Sequence, residues 1–181
     1  VYKRQVTART LTNALLLTGA LALGDATNSG ALTLSGNAAL TGNTTLTVAS
    51  AATLSGILSG AYNLTTAGSS ELTLSGTNSF SGTTTVNAGT LTLAGGAALV
   101  DAMAVTVDAS GLLKLAASET IATLAGAGNV NLQANTLTVG GGANTTFSGV
   151  LSGAGALVKN GAGVFTLTNA NTFSGGVSLS A

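Results

Sequence analysis

Ser55-Gly56-Ile57-Leu58-Ser59-Gly60-Ala61 leads through Gly68 and Leu72-Thr73-Leu74 to Asn78-Ser79-Phe80-Ser81-Gly82. The same order returns, without a gap, as Ser148-Gly149-Val150-Leu151-Ser152-Gly153-Ala154, then Gly161, Phe165-Thr166-Leu167 and Asn171-Thr172-Phe173-Ser174-Gly175. A shorter echo runs from Leu32-Thr33-Leu34-Ser35-Gly36 through Leu40-Thr41-Gly42 to Thr44-Thr45-Leu46. What recurs is apolar anchors and turn residues, not acids, bases or metal ligands. A solenoid stacks chemically equivalent residues and so accepts repetition, whereas a closed sandwich core asks each strand to fill a different place.

Working outward from these copies, short segments alternate apolar and polar residues at period two: Leu32-Thr33-Leu34, Leu46-Thr47-Val48, Leu72-Thr73-Leu74, Leu91-Thr92-Leu93, Val105-Thr106-Val107, Val130-Asn131-Leu132, Leu137-Thr138-Val139 and Phe165-Thr166-Leu167. Such triplets are half-buried strands. Gly and Asn punctuate them, at positions where a left-handed turn is cheap. The anchors Leu54, Leu72, Leu91, Leu113 and Leu137 recur at about twenty residues, enough for one coil of three short strands with their turns. The expected fold is all-β: a right-handed parallel β-helix over residues 6–181, with about twenty residues per rung and no caps. Leu99 to Glu119 reads as the least regular part, an insertion-like region.

Composition agrees. Nearly half of the 181 residues are hydrophobic (45%), so a core is available, but only 3% are aromatic. Packing then falls to Leu, Val, Ile and Ala, with Phe80, Phe147, Phe165, Phe173 and Tyr62 as the bulky pieces. Charged residues make up 6%, far below the usual quarter, so Thr, Ser, Asn and Gly must clothe the surface, as suits a secreted or surface protein. Proline is absent, in keeping with strands that must all donate to a neighbour.

Net charge is zero and three of the five basic residues, Lys3, Arg4 and Arg9, lie at the start, which leaves no basic patch for nucleic acid. No apolar run approaches the length of a membrane helix. The basic start followed by Leu11-Thr12-Asn13-Ala14-Leu15-Leu16-Leu17 has the outline of a signal peptide, but Thr12, Asn13, Thr18 and Gly19 break it, and a first β-rung is the reading taken. Val1-Tyr2-Lys3-Arg4-Gln5 resembles a translated adapter scar, a non-native addition set aside from the fold.

Cysteine and histidine are both absent, which removes disulfides, thiolate chemistry, Ser-His-Asp triads and the usual zinc motifs. The carboxylates are Asp25, Glu71, Asp101, Asp108 and Glu119. Asp101 and Asp108 are the one pair to weigh for acid–base work on a polysaccharide; the bland alternative is two solvated turn residues. Gly140-Gly141-Gly142 lacks the Lys and the helix of a phosphate loop and reads as a turn. Asn37, Asn78 and Asn171 precede matching Phe/Leu-containing elements and read as stacked turn amides rather than ligand contacts; Phe80 and Phe173 read as core. No catalytic, cofactor-binding or metal-ligating residue is assigned.

The stretch Leu151 to Gly176, with Lys159-Asn160-Gly161-Ala162-Gly163-Val164-Phe165-Thr166-Leu167 and Asn171-Thr172-Phe173-Ser174-Gly175-Gly176, resembles the passenger-associated transport repeat of bacterial autotransporters. Ser75 to Leu93 resembles its second half and continuation. The resemblance implies a type V secreted passenger: a β-helical stalk displayed at the cell surface, exported through a C-terminal outer-membrane translocator barrel of the same polypeptide, and serving adhesion or virulence. It assigns no cofactor, and its implied partners are that barrel, host surfaces or other copies of the chain. Because the second copy stops short of the continuation seen after Gly82, the natural chain is expected to run on. A different reading takes Thr45-x-Thr47, Thr83-x-Thr85, Thr90-x-Thr92 and Thr136-x-Thr138 as hydroxyl arrays that bind ice or carbohydrate. A polysaccharide-active enzyme is the third.

Overall fold

A computed structural model describes residues 7–25, 27 and 30–180. The adapter-like residues 1–5 lie outside them. Every regular element among the described residues is a strand, and every strand pairing is parallel. The chain winds as a β-solenoid of about 8 turns with three faces.

Face I stacks Arg9–Leu11, Leu32–Leu34, Ala52–Leu54, Glu71–Leu74, the second half of Thr84–Leu93, the second half of Ala104–Leu115, Asn129–Asn131 and Leu151–Ser152. Face II holds the first halves of Leu15–Leu23 and Ala38–Val48, then Leu58–Ser59, and further along Glu119–Ile121, Leu137–Val139, Leu157–Lys159 and Val177–Leu179. Face III takes the second halves of Leu15–Leu23 and Ala38–Val48, Leu64–Gly68, the first halves of Thr84–Leu93 and Ala104–Leu115, then Thr123–Gly126, Thr145–Phe147 and Phe165–Leu167. The four long strands turn a corner without leaving the ladder, and the register slips at two such corners, between Leu17 and Gly19 and between Val107 and Ser110.

Period-two alternation carries straight into burial: in Ala104–Leu115, Val105, Val107, Leu113 and Leu115 are buried, and Thr106 and Lys114 between them face outward. That strand is the longest in the molecule, so the insertion-like reading of Leu99 to Glu119 is corrected: the sequence there departs from the repeat, but the inward positions remain apolar and the rungs continue. The anchor ladder also needs adjusting. Leu72, Leu91 and Leu113 do stack, but Leu54 sits beside Leu34 and Leu74, while Leu137 belongs to face II between Glu119 and Leu157. Spacing alone does not distinguish three faces that use the same triplet.

Three of the large rings lie level with a glycine of the preceding rung. Phe147 is level with Gly126 of the preceding rung, and the bonds from Ser81 N to Gly60 O and from Ser174 N to Gly153 O bring Phe80 and Phe173 level with Gly60 and Gly153. All three glycines have positive φ, 114° at Gly60, 107° at Gly126 and 102° at Gly153. A Cβ at each would meet the preceding rung, Leu40 O at 2.3 Å, Val107 O at 2.1 Å and Gln133 N at 2.7 Å, so these glycines let the backbones pass closely beside the rings. Phe80 and Phe147 are fully buried, and Phe165 and Phe173 pack partly buried against the core. Tyr62 is different: it is exposed at a corner, so the expectation that it fills the core is corrected.

Candidate functional site

The carboxylates are dispersed. Asp25 closes a local turn, accepting from Thr27 N and Oγ1 at 2.9 Å each. Glu71 accepts from Thr92 Oγ1 at 2.5 Å and lies 3.8 Å from Lys114 Nζ, on the outer side of face I. Asp101 and Asp108 stand at opposite ends of the face III segment of Ala104–Leu115, and the Asp108 carboxylate is held by Asn87 Nδ2 at 3.1 Å. The structure therefore does not bring the weighed pair together as an acid and a base across a substrate. No cluster of three or more metal-ligating side chains occurs among the described residues.

Glu119 is the residue that sequence reasoning undervalued. It occupies an inward position of face II, 3% exposed, where the stacked neighbours Leu137 and Leu157 are apolar. Its two oxygens accept from Ala98 N and Leu99 N, each at 3.1 Å. Face II has no strand at 78–80 or 97–99, so those backbone donors lack a ladder carbonyl, and the carboxylate replaces it. Burial pushes the Glu119 carboxyl above its ordinary range; the bonds from Leu99 and Ala98 oppose that shift and the nearby charge of Asp101 adds to it.

Asn78 fills the same gap one rung earlier. Its Oδ1 accepts from Leu58 N at 2.7 Å and its Nδ2 donates to Ala98 O at 2.8 Å, so one buried amide ties three rungs. At the surface, Asn37 accepts from Ile57 N, Asn43 from Asn63 N, Asn63 from Thr83 N and Asn144 from Val164 N, all within 2.8–3.1 Å and each from the following rung. Asn171 accepts from Leu151 N at 2.8 Å. Stacked turn amides were legible in the sequence; what was not is that Asn78 and Glu119 stand in one column and share Ala98.

Threonine forms long outward ladders. Thr33, Thr53, Thr73 and Thr92 stack on face I, and Thr45, Thr65, Thr85 and Thr106 on face III. Each ladder is one residue wide. Thr47 lies beside Ala67, Thr90 beside Glu71 and Leu112, and Thr138 between Thr120 and Val158, so the Thr-x-Thr pairs do not align into a two-column array. An open groove crosses the corner after face I, lined by Lys114, Asn131, Gln133, Asn135, Gly153 and Ala154. Gln133, at φ 53°, is the one described non-glycine residue in the left-handed region.

The decisive observation is the placement of the two copies. Leu58 and Asn78 lie on face II, but their counterparts Leu151 and Asn171 lie on face I. Leu72–Leu74 lie on face I and Phe165–Leu167 on face III. One motif thus builds the same corner on successive faces, rotated by a third of a turn. Two stretches match the passenger-associated-transport-repeat family, 64–93 and 157–181, and they begin at equivalent points of the motif on faces III and II. These are passenger-associated transport repeats. The chain is 41% identical over 140 residues to an adhesin autotransporter, BmaC, of Brucella suis biovar 1 (strain 1330), a match that covers 72% of the chain. It spans 4% of that relative's length. No solved structure matches the chain. The repeats lie on a parallel solenoid and, in the two copies present, build the same corner on two different faces.

Proposed function

We propose that this segment is a non-enzymatic stalk of a surface-displayed autotransporter adhesin, supporting passenger folding and export and holding adhesive surface away from the cell. The observation that carries the reading is the rotation of the repeat. A binding epitope must point one way, whereas an element that closes rungs works on any face. Nearly charge-free ladders of Thr and Asn fit a polypeptide that crosses a membrane unfolded and folds outside, since no long-range charge pairing has to be found. In the full-length protein the segment is joined to an outer-membrane translocator barrel, and adhesion is shared along a much longer passenger.

The test is display. Residues 6–181 are placed between an export signal and an outer-membrane barrel, and exposure is followed by antibody binding and protease shaving on intact cells. The wild-type segment is expected at the surface. Leu91→Asp, which buries a charge in the face I column, is expected to reduce display severalfold. Equal display of both, or retention of the wild type inside the cell, overturns the reading.

A further inference from the structure

Between face I and face II the chain advances six positions from Leu113 to Glu119, and six from Leu151 to Leu157, but seven from Val130 to Leu137. The corner of that one rung is therefore a residue longer than the corners on either side. Gln133 absorbs the excess: it sits at φ 53°, and Asn131 Oδ1 holds it there by accepting from Gln133 N at 2.9 Å. Every other positive φ among the described residues falls on a glycine. Asn135 anchors the far side of the corner, donating from Nδ2 to Leu115 O at 3.0 Å. On the next rung Gly153 lets the backbones pass, since a Cβ there would meet Gln133 N at 2.7 Å. The result is the open groove of about 580 Å³ that crosses three rungs at this corner. It is interior to the segment: a further turn lies beyond it, with Ser174 N on Gly153 O and Gly175 N on Gly155 O. It also falls between the two transport repeats, 64–93 and 157–181, and belongs to neither.

A left-handed glutamine in a chain that otherwise uses glycine is local strain, and strain of this kind gathers at binding sites. The groove has the chemistry to match. Lys114 forms one wall, and its ion pair with Glu71 is long, at 3.8 Å between half-exposed side chains. With Oδ1 occupied by Gln133 N, Asn131 keeps its Nδ2 for a ligand, and the exposed Gln133 side chain can both donate and accept. Ala116, Ala134 and Ala154 are exposed between these polar groups. We propose that this corner binds a saccharide carrying a carboxylate, a uronic acid unit, with Lys114 on the carboxylate, Asn131 and Gln133 on ring hydroxyls, and the three alanines under the C–H face of the ring. A peptide fits less well, because strand addition needs an open backbone edge and this one is closed by the bonds from Asn135 N to Leu132 O and from Ala156 N to Asn135 O. The inference goes beyond the stalk reading and does not rest on it.

The test is an NMR titration of the 15N-labelled chain with tetragalacturonate and, separately, with its fully methyl-esterified form, which keeps the sugar rings and removes the charge. The acid is expected to give saturable shifts confined to the backbone amides of 114–116, 131–135 and 153–154 and the side-chain NH2 groups of Asn131 and Gln133, and to bind about tenfold more tightly than the ester. Lys114→Met is expected to remove that difference. Gln133→Gly separates binding from folding: it relieves the left-handed strain, so the melting temperature holds or rises while affinity for the acid falls severalfold. Shifts that are absent or scattered over the surface, equal binding of acid and ester, an unchanged preference in Lys114→Met, or a lowered melting temperature with unchanged affinity in Gln133→Gly overturns the proposal.

Discussion

Glu119 shows how a single polar side chain holds an apolar column together. Removing it in Glu119→Ala strands two buried N–H groups, at Ala98 and Leu99, and the expected loss is about 2–4 kcal/mol by urea unfolding. Glu119→Gln keeps one acceptor and turns an NH2 toward the other donor, so it loses less. The pH dependence follows from the raised carboxyl. The folded chain holds this proton more tightly than the unfolded one, so the contribution is fully present below the ordinary glutamate value of 4.5 and is lost as pH rises through the folded value. The wild-type urea midpoint, measured against Glu119→Gln at each pH, is expected to fall over that window; a difference that grows with pH contradicts it. Thr84 presents the opposite case. Its hydroxyl is fully buried on face III without a partner, and Thr84→Val is expected to stabilise by about 1 kcal/mol in the same assay.

At the scale of the rung, the ladder depends on how closely backbones pass at the corners. A Cβ on Gly149 meets Gly128 O at 1.5 Å and the Phe147 ring at 2.7 Å, contacts no rotamer relieves. Gly149→Ala is expected to cost about 3 kcal/mol or more, and circular dichroism melts should show it; a shift within error removes the close-packed corner from the account. Gly60, Gly126 and Gly153, level with Phe80, Phe147 and Phe173, extend the same device: a Cβ at each would meet the preceding rung's backbone within 2.1–2.7 Å.

For the molecule as a whole, stability is a sum over neighbours, because each rung touches chiefly the rungs on either side. Leu72, fully buried between Ala52 and Leu91, illustrates the consequence. Leu72→Ala is expected to cost about 2–5 kcal/mol and to lower protection most in the adjoining rungs. The end rungs present apolar surface: Val177 and Leu179 are 57% and 77% exposed, and Leu16 is 78% exposed. The face II column runs from Leu15 to Val177, so a second copy placed end to end continues it in register. The isolated 181-residue chain is therefore expected to self-associate through parallel edges, with a mass by light scattering that rises with concentration. A single monomeric species over a wide concentration range contradicts this.

Alternating Leu-Thr-Leu triplets, Gly and Asn at the corners, and a motif that returns in the same order were enough to specify a parallel solenoid, because those patterns are local and each rung repeats the same packing problem. The asparagine turns and the buried Phe80 were legible for the same reason. Which face each copy occupies was not, since three faces accept one triplet and only the accumulated register of every intervening turn decides between them. That register, an offset of 23 residues from Arg9 to Leu32 and from Leu15 to Ala38 but of 20 from Leu32 to Ala52 and from Ala38 to Leu58, belongs to the assembled ladder. Likewise, nothing about Glu119 or Asn78 in the linear chain announces that both enter one column and bind the same unpaired backbone at Ala98. Long-range hydrogen-bond satisfaction put them there, and only the tertiary structure contains it.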